Sequence, residues 1–118
     1  APSTWNLSGG SVPLVISGTL TTQSAIFRYS GTTATTITPA TYYRLYLAPS
    51  AAGGPTYTLA GGTFTVQNGL IIGDGTNAGT TTINTNDPKL ILKASAILII
   101  EKNISLTGPA KSVFYILK

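Results

Sequence analysis

Turn-forming residues interrupt this chain roughly every seven to twelve residues, which leaves room only for short extended segments. The interruptions are Ser8-Gly9-Gly10-Ser11, Ser17-Gly18, the small-residue stretch APSAAGGP at 48–55, GDGTNAG at 73–79 and Asn86-Asp87-Pro88. Between them lie apolar and Thr-rich runs that alternate with the period of a half-buried strand. The central example is Gly61–Gly73, GGTFTVQNGLIIG, where Phe64 and Val66 alternate with Thr63 and Thr65. Two strands are expected there, Thr63–Val66 and Leu70–Ile72, joined by a tight Gln-Asn-Gly corner, because Asn68 and Gly69 both tolerate positive φ.

The same reading predicts strands at Thr4–Leu7, Val12–Ile16, Ser24–Tyr29, Thr41–Leu47, Thr56–Leu59 and Thr80–Asn84, with weaker strand character at Thr32–Thr38. Pro13 cannot donate to a ladder, so Val12–Ile16 should lie at a sheet edge or begin pairing late. Thr41–Leu47 has the clearest alternation, with Tyr43, Leu45 and Leu47 on one face and Tyr42, Arg44 and Tyr46 on the other. After Pro88 the character changes. Leu90–Leu92, Ala96–Ile100 and Val113–Leu117 are apolar at nearly every position, with Ile104–Leu106 between them. A strand of that kind is usually buried on both faces, so its outer face needs a second sheet or a second subunit to cover it.

Composition agrees with strands and opposes helices. Charged residues are 8 % of the chain, against roughly 25 % in an ordinary globular protein. Thr makes up about a sixth of the chain, and the Ala-Leu-Glu-Lys runs that favour helices are missing. The length fits one domain, 1–118. There is no Cys, Met or His, so a disulfide, a Ser-His-Asp triad and a Cys or His metal site are excluded. No run approaches the roughly 18 apolar residues of a membrane-spanning helix. Ala1-Pro2-Ser3-Thr4 reads as a mature terminus left by signal-peptide removal, and the low charge and abundant Thr point to an extracellular setting.

The net charge of +4 resides in the last thirty residues, where Lys89, Lys93, Lys102, Lys111 and Lys118 oppose Glu101 alone. These lysines bracket apolar runs rather than clustering, which favours solubilising flanks over a nucleic-acid surface. Asp74, Asp87 and Glu101 are the only carboxylates. They show no paired spacing for glycoside chemistry. Gly73–Gly79 resembles a phosphate loop only in its glycines, having no Walker lysine, and a plain turn accounts for it better than Ca²⁺ ligation through Asp74 and Asn77. No catalytic, cofactor-binding or metal residues are assigned.

Thr56-Tyr57-Thr58-Leu59, Phe64-Thr65-Val66 and Gly69-Leu70-Ile71-Ile72 carry a resemblance to the repeats of large secreted bacterial and archaeal surface proteins. It covers about residues 41–85. The resemblance implies an adhesin-like, right-handed β-helix that forms surface fibres.

The fold expected is therefore all-β, a short right-handed β-solenoid, with a β-sandwich completed by a neighbour's strand as the alternative. The function expected is a non-enzymatic structural subunit of an extracellular filament or cell-surface fibre, without cofactor, partnered by copies of itself. The competing expectation is a carbohydrate-binding or adhesin module of a larger secreted protein, with surface polysaccharide as partner. That module would use Trp5, Tyr42, Tyr43, Tyr46 and Tyr57 as an aromatic strip, although packing suits aromatic residues in strands better. Subunit contacts are expected at Trp5 and Leu7 or at Val113, Phe114, Tyr115, Ile116 and Leu117, and the sequons at Asn6 and Asn103 are candidate glycosylation sites.

Overall fold

A computed structural model describes the chain except residues 1–2, 18–19, 21–23, 50–54, 74–78, 84–88, 94–95, 101–103, 108–113 and 117–118. The described residues form eleven strands and no helix. In chain order they are β1 (Thr4–Leu7), β2 (Ile26–Tyr29), β3 (Thr35–Ile37), β4 (Thr41–Leu47), β5 (Thr56–Leu59), β6 (Thr63–Ile72), β7 (Gly79–Ile83), β8 (Lys89–Leu92), β9 (Ile97–Ile100), β10 (Ile104–Thr107) and β11 (Phe114–Ile116). Among the described residues no helix is long and apolar enough to cross a membrane.

The strands fall into two open sheets. One runs β1-β2-β4-β6-β8-β11, with β9 also paired to β6, and the other runs β10-β7-β5-β3. From β2 to β8 the chain alternates between the sheets. Each strand then pairs in parallel with the next strand of its own sheet. A single bridge from Ser11 to Thr35 adds a vestigial partner to the second sheet between β1 and β2.

Parallel sheets are usually covered on both faces and read as continuous apolar runs. Here the central strands instead alternate, because each buries one face only. In β2 the buried residues are Phe27 and Tyr29, in β5 Tyr57 and Leu59, and in β3 Thr35 and Ile37. The core joins these to Tyr42, Leu45 and Leu47 of β4, Phe64, Val66, Leu70 and Ile72 of β6, and Leu92 of β8. Fully burying one such side chain contributes about 1.5–3 kcal/mol.

Three core tyrosines keep their hydroxyls satisfied, as buried polar groups must be. Tyr42 donates to the Thr38 carbonyl at 2.5 Å. Its single proton being used there, it accepts from the Tyr29 hydroxyl at 2.9 Å. Tyr57 donates to the Gly31 carbonyl at 2.5 Å.

Several expectations change on this structure. Thr63–Ile72 is one ten-residue strand rather than two strands and a corner. Neither Asn68 nor Gly69 takes a positive φ. Strand pairing on either side holds this backbone extended, and the turn propensity emerges as a bulge. Tyr42 pairs with Val66 but Arg44 with Gly69, so Tyr43 faces both Gln67 and Asn68. The bulge also switches the face of β4. Tyr42 enters the core together with Leu45 and Leu47, while Tyr43 is half-buried. Val12–Ile16 is not a strand. Its neighbour Ser11 makes the single bridge, and the Leu14 carbonyl accepts a hydrogen bond from the Thr38 hydroxyl.

Gly31 is buried where two segments meet closely. A Cβ there would lie 2.7 Å from the Gly9 carbonyl oxygen and 3.1 Å from that of Ser8. Backbone cannot swing aside as a flexible side chain can. Gly31→Ala is therefore expected to destabilise the fold by about 1–3 kcal/mol, read as a lowered urea midpoint with unchanged slope. An unchanged midpoint would mean that this approach is not tight.

Candidate functional site

The first sheet contains a ladder of five strands in continuous register. Thr4 pairs with Ile26, Ile26 with Arg44, Arg44 with Gly69, and Gly69 with Ile97. The next column runs Trp5, Phe27, Leu45, Leu70 and Leu98, and it points into the core at its three central members. The third runs Asn6, Arg28, Tyr46, Ile71 and Ile99 along the outer face.

At both ends of this ladder apolar side chains meet solvent. Trp5 is 52 % exposed, Val12 48 % and Val15 77 % at the beginning of the chain, and Ile97 is 55 %, Leu98 40 % and Ile99 41 % on β9. Among the residues whose burial is described these are the exposed large hydrophobic groups, and none comes from β2 to β6. The free edges of β1 and β9 have no strand partner among the described residues. Neither strand carries a charge or a proline, although natural proteins commonly blunt free edges with such residues.

Trp5 and Leu7, expected at a subunit contact, thus lie at one end of the sheet. Trp5 stacks on Phe27, with ring centroids 5.5 Å apart and planes 7° from parallel. Leu7 pairs with Tyr29 and packs against the core. Phe114, Tyr115 and Ile116 form β11, at the other end of the sheet order, and pair with Leu90–Leu92 of their own chain. Val113 and Leu117 lie outside the described residues, as do the second sequon's Asn103 and all three carboxylates. Asn6, in the other sequon, is exposed. The residues that sequence reasoning left off the contact surface are Ile97, Leu98 and Ile99. Their signal is present in the uninterrupted apolar run at 96–100, whose Ile97, Leu98 and Ile99 the described residues leave exposed.

The aromatic strip does not form. Tyr42 and Tyr57 are buried and bonded within the core, which leaves Trp5, Tyr43 and Tyr46 with exposed surface. On the outer face Arg44 donates through Nε to the Asn68 side-chain oxygen at 2.7 Å. The Arg28 guanidinium lies 5.5 Å from the Tyr46 ring centre, a cation–π contact. Arg44, Tyr46, Asn68, Gly69, Ile71, Ile97 and Ile99 line a shallow groove of about 100 Å³. That is well below the roughly 300 Å³ at which small-molecule sites begin. Among the described residues no group of His, Cys, Asp or Glu could hold a metal ion.

Comparison with protein-family models, with curated proteins and with solved structures finds no match. The functional reading therefore rests on the residues themselves.

Proposed function

We propose that this chain is a structural subunit of an extracellular filament or cell-surface fibre, built as a short right-handed β-solenoid and self-assembling through strand edges and apolar contacts. The observation that carries the reading is that both ends of one five-strand ladder expose large apolar groups, Trp5 on β1 and Ile97, Leu98 and Ile99 on β9. Exposed apolar patches mark interaction sites, and repeat architectures need terminal units with a polar outer face to remain soluble. The absence of charge from β1 and β9 points the same way.

Parallel pairing favours the solenoid over a sandwich completed by a donated strand. Every strand pairing among the described residues is parallel, and consecutive strands from β2 to β8 visit the two sheets in turn. Parallel crossovers of this kind are almost always right-handed. The resemblance over residues 41–85 leads to the same architecture.

Negative-stain electron microscopy beside size-exclusion chromatography tests the function. Long fibres of uniform width, surviving heat and detergent, are the expected result. A monodisperse monomer at high concentration would overturn self-assembly. Polysaccharide binding by that monomer would support the competing carbohydrate-binding module, with Trp5, Tyr43 and Tyr46 as its available aromatic surface.

A further inference from the structure

We infer that the two exposed ends form a single interface, in which β1 of one copy adds in parallel to the free edge of β9 on the next. The inference rests on the filament reading and gives it a defined contact and register. In that register Thr4 lies beside the neighbour's Ile97, Trp5 beside Leu98, Asn6 beside Ile99 and Leu7 beside Ile100.

Direction supports the second copy as occupant. All strands of the ladder run the same way, so its two edges are opposite sides of one parallel sheet. An identical copy translated along the ladder brings a β1 edge against a β9 edge without reversing either strand. The contact is head-to-tail and does not close on itself, which yields a filament rather than a dimer.

The side chains also match. The inward column is buried at Phe27, Leu45 and Leu70, yet open at its end members Trp5 and Leu98. One face of the Trp5 indole already lies on Phe27. The proposed junction covers the other side with Leu98, continuing inside the fibre the stacking present inside each copy. On the outer face the junction sets Asn6 beside Ile99 and Thr4 beside Ile97, so no like charges meet. Five strands at about 4.8 Å each give a rise of about 24 Å per copy.

The chain contains no cysteine, so introduced thiols report only the intended contact. Adjacent strands bring paired Cα atoms to about 4.8 Å, within the range that a disulfide spans. Fibres of the double variant Asn6→Cys with Ile99→Cys, treated with a mild oxidant, should give a ladder of covalent oligomers on a denaturing gel. Reduction should collapse that ladder to monomer. An equal mixture of the two single variants should stop at covalent dimers, which keeps the test valid if the double variant assembles poorly.

Fibres that form without this link, while Asn6→Cys joins Tyr115→Cys instead, would overturn the β1–β9 contact and leave the filament reading standing. A wild-type fibre whose axial rise differs clearly from about 24 Å would do the same. Failure of the wild-type chain to form fibres at all would overturn both.

Discussion

Leu45→Ala is expected to remove about 3–5 kcal/mol of stability, the upper part of the range for truncating a buried leucine. Leu45 is fully buried at the middle of the five-strand ladder, between Phe27 on β2 and Leu70 on β6. The penalty for such a truncation has a transfer part and a cavity part. The cavity part depends on how far the surroundings can collapse. Here both neighbours sit on strands that are themselves hydrogen-bonded on their far sides, so neither can move in to fill the space. A domain of this kind has only about 5–15 kcal/mol in hand, and the variant should unfold at a much lower guanidinium concentration. Leu98→Ala is the internal comparison. It occupies the same column, but in the free chain Leu98 has fewer neighbours and large exposure. Its truncation should cost the isolated chain much less and weaken assembly instead. A loss below about 1 kcal/mol for Leu45→Ala would place the core elsewhere.

The contrast between Leu45 and Leu98 also shows where sequence reasoning stops. Both are leucines in apolar strands, and nothing local separates them. Only the order of strands in the sheet makes one central and the other terminal. Where local rules act alone, the strands follow them. β1, β4 and β5 begin and end where alternation and flanking breakers put them. Where pairing competes with local preference, pairing wins. Asn68-Gly69 is a strong turn signal in isolation, yet β6 passes straight through it with β4 and β9 alongside. The resulting bulge then defeats strict period-two reasoning, which sets Tyr42 on the face opposite Leu45. Unequal connections hide the repeat in a similar way. Ile26 pairs with Arg44, whereas Gly69 pairs with the more distant Ile97, so no constant period exists to detect. The edge surface was half legible. The apolar run at 96–100 announced a need for cover, but its place beside Gly69–Ile72, in register with Trp5 at the far edge, is a property of topology.

Alkaline pH should unfold the chain steeply, and the buried tyrosines supply the reason. Burial raises the pKa of Tyr29 and of Tyr42, with the neighbouring Tyr29 hydroxyl adding to the shift at Tyr42. Burial pushes Tyr57 up to about 12 from an ordinary value of 10.0. Above pH 10 the unfolded chain releases these protons while the folded chain keeps them. The folded state then binds more protons than the unfolded one, so stability falls as pH rises. Each proton that the fold retains and the unfolded chain releases costs about 1.4 kcal/mol per pH unit. The contribution is fully present below pH 10. For Tyr57 its loss is complete near pH 12, and the raised pKa values of Tyr29 and Tyr42 act in the same direction. Urea titrations at successive pH values give the slope directly. Tyr57→Phe should be less stable at neutral pH, because the Gly31 carbonyl loses its donor. Between pH 10 and 12 its stability should nonetheless decline less steeply than that of the parent chain, by up to about 1.4 kcal/mol per pH unit. Equal slopes would mean that the Tyr57 hydroxyl ionises as freely in the folded chain as in the unfolded one, and that the core is wetter than its packing implies.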